Sequence, residues 1–227
     1  MANRTDPTAH LIHGTNPQFL FSKILRDKVY NCFYWKESCF GLTAESLIDK
    51  AVQLKYVGGT FGGNRQPSPF LCLVLKMLQI QPDMEIVHEY IKNEDFKYLR
   101  ALGVYYMRLV GSAPEVYGTL EPILGDYRKL RFRNTDGSYT IKYMDEFVDE
   151  CLTSSTYLDV DFPPLAKRLS LEATKVLPPR RSPLQLVKTK ASECKIAGRI
   201  ESAFRHVLRV AAESTHSLEY LHRTHTV

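Results

Sequence analysis

The sequence predicts a mainly α-helical protein: a compact multi-helix domain of short helices with one small β-hairpin near residues 129–143, plus a C-terminal tail. Three observations predict it. Apolar residues recur at helical spacing in a succession of short segments, each bounded by a capping residue, a glycine or a proline. Between Arg128 and Met144 the period changes to strict alternation on either side of Asn134-Thr135-Asp136-Gly137. At Pro178-Pro179-Arg180-Arg181-Ser182-Pro183 the composition breaks, which divides the chain into a helical interaction domain at 1–179 and a basic, helical or disordered tail at 180–227.

Each element has a local cause. Asn16-Pro17 is an N-cap with proline at the first helical position, opening a helix to about Tyr30 with Leu20, Phe21 and Ile24 on its inner side. Thr43 caps a second helix, carrying Leu47, Ile48, Ala51 and Leu54 at helical spacing. The glycine pairs of Val57 to Asn64 then demand loop geometry and are expected to form a turn placing two helices. Ser68-Pro69 starts a helix from Phe70 to Ile80 that is apolar nearly all round and must be surrounded by others. Pro82 ends it. Asp83 caps a stretch with Met84, Val87 and Ile91 on one side, and Asn93 is expected to cap the next helix, with Phe96, Leu99, Gly103, Tyr106 and Val110 facing inward. Ser112, Pro114 and Glu115 form a capping box for a helix to about Leu120. Asp145 to Leu152 and Leu165 to Val176 read as helical again.

Composition bounds the function. The 227 residues are 44% apolar and 24% charged, an ordinary globular balance. Net charge is +5, yet residues 1–179 carry 21 Lys+Arg against 21 Asp+Glu, and 180–227 carry 9 against 4. The basicity belongs to the tail, so RNA could be attracted only by a local patch or by that segment. The longest apolar run, Phe70 to Leu75, is far short of a membrane span, and Met1 to His13 has no signal-peptide pattern. Five dispersed cysteines, Cys32, Cys39, Cys72, Cys151 and Cys194, argue for reduced thiols rather than a disulfide framework.

No catalytic constellation is legible. The Gly58-Gly59-Thr60-Phe61-Gly62-Gly63 loop lacks the Gly-Lys-Ser/Thr ending of a P-loop. Cys32 and Cys39 are too far apart for a zinc knuckle, and His216, His222 and His225 read as solvated tail residues. No nucleophile elbow or Cys-His signature is present, and His88 has no evident partner. No enzyme, cofactor or metal is therefore expected. The candidate residues are instead those of an interaction surface. Arg128, Lys129, Arg131 and Arg133, with Lys142, cluster on and beside the hairpin, where they guard a strand edge, meet an acidic partner helix, or meet RNA phosphate. Lys92, Glu94, Asp95 and Lys97 give a helix a charged start that a core does not require. Tyr98 and Tyr105 fall off the inner face of that helix and are candidates to line a groove.

The blocks His13-Gly14-Thr15-Asn16-Pro17, Trp35-Lys36-Glu37, Cys39-Phe40-Gly41-Leu42-Thr43-Ala44-Glu45, Pro69-Phe70-Leu71-Cys72-Leu73, Leu75 to Pro82, Lys92 to Tyr98 and Asp126-Tyr127-Arg128-Lys129 occur in this order. Long, unusual and collinear, they resemble the pre-mRNA-splicing factor 38 family, a likeness that covers roughly residues 1–179. The resemblance implies a nuclear, non-enzymatic interaction domain that enters the precatalytic spliceosome with the U4/U6·U5 tri-snRNP and is needed for activation. It also implies partners, a zinc-finger tri-snRNP protein and a microfibril-associated-protein-like splicing factor, for a chain monomeric within the larger assembly. Direct RNA binding through the hairpin and tail is the alternative. After Pro183 the sequence departs from the Arg/Ser-rich tails of many relatives, so tail functions do not carry over.

Overall fold

The computed structural model describes residues 3–180, and several of its helices begin where a side chain satisfies a free amide. A 3₁₀ turn at Pro17–Leu20 precedes α1 (Lys23–Asn31), and a π turn at Trp35–Cys39 precedes α2 (Ala44–Val52). Three short strands, β1 (Val57–Gly58), β2 (Thr60–Phe61) and β3 (Gln66–Pro67), lead into α3 (Pro69–Ile80), then α4 (Met84–Lys92), α5 (Lys97–Val110) and α6 (Ala113–Leu120). A 3₁₀ turn at Glu121–Gly125 leads to β4 (Lys129–Arg133) and β5 (Tyr139–Tyr143), followed by α7 (Met144–Thr153), β6 (Thr156–Tyr157), β7 (Val160–Asp161) and α8 (Arg168–Ala173). The compact unit ends at Leu177. The tail expected from residue 180 onward lies, but for Arg180, outside the described residues.

The mainly helical class is what forms, with the expected hairpin as β4–β5 and two further two-residue strand pairs, β2–β3 and β6–β7. Ser68 accepts a hydrogen bond from the Leu71 amide to cap α3, and Thr43 with Ser46 and Ser112 with Glu115 close capping boxes on α2 and α6. Every residue from Phe70 to Gln79 in α3 is buried, as is every residue from Ala101 to Leu109 in α5. These two helices lie against each other at the centre. Around α5 pack α2, α4, α6 and α7. Gly103 permits the α4 approach: a Cβ there would lie 2.9 Å from Ile91 Cγ1 and 3.0 Å from Tyr90 Cβ.

Three polar side chains caught in this interior, Lys76, Gln79 and Arg108, find hydrogen-bond partners within the protein. Lys76 Nζ donates to Gln79 Oε1 at 2.9 Å, and Gln79 donates to the Arg4 carbonyl at 2.7 Å, which lays the N-terminal segment over the end of α3. Arg108, 4% exposed, donates to the carbonyls of Cys151 and Pro163 and lies 4.6 Å over the Phe162 ring.

Several local expectations are corrected. The first expected helix is interrupted, because Phe21 is extended and Ser22 caps α1 afresh; the register thereby leaves Ile24 73% exposed instead of inward. Asn93 accepts from the amides of Asp95 and Phe96 in a turn, so α5 starts later, at Lys97, and Phe96 is 44% exposed. Tyr105 is fully buried and donates from its hydroxyl to the Tyr157 carbonyl, because α5 is covered on all sides. It lines no groove. The glycine segment is more than a turn: β1 pairs in parallel with β4, Val57 opposite Phe132, in a sheet of order β1-β4-β5. Gly58 allows that contact, since a Cβ would come within 2.9 Å of the Arg133 carbonyl oxygen. The Asp159 carboxylate then receives the Thr60 amide and hydroxyl, at 2.7 and 2.8 Å, fixing the loop to the β6–β7 turn.

Gly103→Leu tests the helix contact at the centre. Leucine keeps helix propensity high, so overpacking against α4 should lower unfolding free energy by about 2–3 kcal/mol, measured by urea denaturation. Native stability in this variant would show that α4 and α5 are not in such close contact.

Candidate partner-binding surfaces

The hairpin sorts its residues by the two-residue period of a strand. Leu130 and Phe132 face the core, while Lys129, Arg131 and Arg133 stand opposite Tyr143, Ile141 and Tyr139 on the other side. Three cations and three large apolar side chains thus share one face, and Ile141 is 65% exposed. Arg131 stacks on the Tyr139 ring at 3.9 Å. Lys142 belongs to the opposite side, paired with Glu150 and lying over the Phe132 and Tyr157 rings. Beside the hairpin, Lys97 donates to the Lys129 carbonyl at 2.6 Å, and the Tyr98 hydroxyl accepts from the Arg131 amide at 3.3 Å.

Arg133 connects this face to a groove. Its guanidinium lies 3.5 Å over the Phe61 ring and 5.4 Å from that of Tyr56, and it donates to the Tyr56 hydroxyl. Tyr56 and Phe61 form one wall of a groove of about 760 Å³ between α1 and the β2–β3 loop. Ile24, Phe33, Tyr34 and Pro67 supply more of its apolar lining, and Asp27, Lys28 and Arg65 stand among its polar residues. Ile24 and Phe33 are 73% and 76% exposed. Apolar side chains gathered in this way over a concavity suit an amphipathic segment better than they suit water.

The other predicted residues cluster around Asp126. Its carboxylate receives Arg100 Nη1 and Arg128 Nη2, each at 2.7 Å. Arg100 also donates to the carbonyls of Asn93 and Lys92, and Arg128 to that of Glu94, so the pair of arginines clamps the α4–α5 turn onto the strand entry. Burial raises Asp126, but the hydrogen bonds from Arg128 and Arg100 together outweigh it, holding the carboxyl below its usual range. Lys92, Glu94 and Arg128 line a second groove of about 810 Å³, with His88, Ile91 and Pro122. Asp95 is exposed at the same turn, and Lys92 pairs with Glu89, at 3.1 Å.

The profile of the PRP38 family matches residues 10–175. The chain belongs to the PRP38 family. Pre-mRNA-splicing factor 38A of Xenopus laevis is 56% identical over 185 residues, 82% of this chain and 59% of that protein, and pre-mRNA-splicing factor 38 of Arabidopsis thaliana is 55% identical over 82% of this chain and 52% of its own length. The chain therefore spans between half and three-fifths of these curated relatives. Among solved structures, a chain of the Snu23–Prp38–MFAP1(217-258) complex of Chaetomium thermophilum matches with a TM-score of 0.74 at 38% identity, covering 82% of this chain and 100% of that one.

In this PRP38 domain the structure brings Lys97, Tyr98, Lys129, Arg131 and Arg133 onto or beside the hairpin and places Lys92, Glu94, Asp95 and Arg128 at the α4–α5 turn. Ile24, Phe33, Tyr56 and Phe61 were not singled out from the sequence as site residues. The adjacent aromatics Phe33, Tyr34 and Trp35 were a signal, but which of them faces outward is set by the π turn that follows α1. Among the described residues no group of three His, Cys, Asp or Glu side chains is placed to hold a metal, and no helix is long and apolar enough to cross a membrane.

Asp126 and Arg100 are 9% and 11% exposed, so removing one partner strands a buried charge. Asp126→Ala should cost about 3 kcal/mol at pH 7. Because the folded-state pKa is depressed, that stabilisation is complete above the unfolded value of about 4 and is lost as pH falls through the folded one. Denaturation of both proteins across pH 2–7 should show their curves converging in acid. A constant difference would contradict the role of the carboxylate.

Proposed function

We propose that this chain is a nuclear, non-catalytic scaffold of pre-mRNA splicing that binds helical segments of other spliceosomal proteins. The observation that carries the reading is the apolar groove of Ile24, Phe33, Tyr34, Tyr56 and Phe61, its two most prominent side chains left three-quarters exposed. It is supported by family membership and by the fungal neighbour, whose complex holds Snu23 and residues 217–258 of MFAP1. A segment of roughly 40 residues buries too little surface for a core of its own, which favours a helix laid into a groove with apolar anchors and polar register contacts. The corresponding partners here are a zinc-finger tri-snRNP protein and a microfibril-associated-protein-like splicing factor. Association with the U4/U6·U5 tri-snRNP and a requirement in spliceosome activation belong to the same proposal, as does a monomeric chain within that assembly. In this reading Lys92, Glu94, Asp95 and Arg128 set register on the second groove, and Lys97, Tyr98, Lys129, Arg131 and Arg133 extend the first. The helical interaction unit is 1–179, with 180–227 as a separate tail. No catalytic step or cofactor is assigned.

A second reading, direct RNA binding, is favoured by the alternation of cations and aromatics on the outer hairpin face. Aromatic rings can stack on bases while arginines meet phosphates.

Calorimetry with the full chain and an MFAP1-like segment separates the two. Ile24→Glu or Phe33→Glu should each weaken segment binding at least about tenfold, with the melting temperature unchanged because both side chains are exposed. Unchanged affinity in both variants would refute the groove reading. For the RNA reading, affinity for single-stranded RNA must fall steeply with salt and disappear in Arg131→Ala/Arg133→Ala.

A further inference from the structure

Two cysteines distant in sequence meet beside the first groove. Cys32, the residue that ends α1, is half-buried and lines the groove; Cys72, in the first turns of α3, is fully buried behind it. Their sulfur atoms are 3.6 Å apart. The Trp35 amide also donates to Cys32 Sγ, at 3.4 Å. We propose that Cys32 is a peroxide-reactive thiol and that Cys72 resolves it, so that the pair forms a reversible disulfide in the groove wall.

The environment divides the roles. The hydrogen bond from Cys72, joined by the backbone amides of Trp35 and Tyr34 and by the Lys36 charge, outweighs burial and lowers Cys32 to about 7. The same hydrogen bond and burial keep Cys72 protonated, its pKa raised well above the thiol range. Burial pushes Cys39 up to about 12 and raises fully buried Cys151 as well. Cys32 is thus the described thiol with both access and thiolate character, the two conditions for oxidation.

The chemistry closes with one hydroperoxide. The Cys32 thiolate attacks a peroxide oxygen; the O–O bond breaks, an S–O bond forms, sulfur gives up two electrons and hydroxide leaves. Cys72 sulfur then attacks the sulfenic sulfur of Cys32; the S–S bond forms, the S–O bond breaks, and the departing hydroxide takes the Cys72 proton as water. A sulfur–sulfur bond of about 2.05 Å requires the pair to close by roughly 1.5 Å, so Cys32, at the end of α1, must move toward Cys72.

The test is peptide mass mapping of the full chain. At pH 7, Cys32 should be alkylated at least about tenfold faster than Cys39 or Cys151. With equimolar hydrogen peroxide a Cys32–Cys72 linked peptide should form, two hydrogens lighter than the free pair and restored by dithiothreitol. Cys72→Ser should instead leave a sulfenic acid on Cys32 that dimedone traps. Alkylation of Cys32 no faster than of the buried thiols, or oxidation of the native chain that stops at a Cys32 sulfinic acid or links Cys32 elsewhere, would overturn the proposal without reference to any partner.

Discussion

The fold depends on the need to cover two central helices whose long buried runs leave no face for water. α3 and α5 bury ten and nine consecutive residues respectively, and such helices are stable only when other elements exclude water from every face. That requirement recruits α2, α4, α6 and α7 and turns Gly103 into a point of close approach. It also explains why Arg108, Lys76 and Gln79 reach carbonyl or amide partners, since an unpaired polar group in this interior would cost more than most single contacts return.

With the centre committed to packing, the groups available for binding stand on the shell. The hairpin register gathers Lys129, Arg131 and Arg133 on one face, and β1 ties that hairpin to the glycine segment. Arg133, held over Phe61 and beside Tyr56, joins the cationic face to the apolar groove, so the two can act as one surface. At the other end, Asp126 gathers Arg100 and Arg128 against the α4–α5 turn and gives the second groove a fixed charged wall.

What was legible in the sequence was local. Ser68, Thr43, Ser112 with Glu115, and the alternation around Asn134 to Gly137 specify their own geometry within a few residues, and those elements form as expected. What was missed required distant partners. Tyr105 is buried because five helices surround α5, which no periodicity within that helix reveals. Ile24 turns outward because Ser22 begins a new helix. β1 exists because a strand more than seventy residues away pairs with it in parallel, and the first groove is assembled from α1, Tyr56 and the β2–β3 loop, three pieces that become neighbours only after folding. The charged residues stand out in the sequence as candidates for an interaction surface, whereas the apolar groove beside them does not.

Membership of the PRP38 family and a shared fold with a splicing-complex subunit give this surface its context. Hydrogen–deuterium exchange of the full chain, with and without an MFAP1-like segment, tests the account most directly. The segment should slow exchange in peptides covering Lys23–Asn31, Phe33 and Tyr34, and the loop from Phe61 to Pro67. Protection confined to Lys129–Tyr143, with those peptides unchanged, would contradict it.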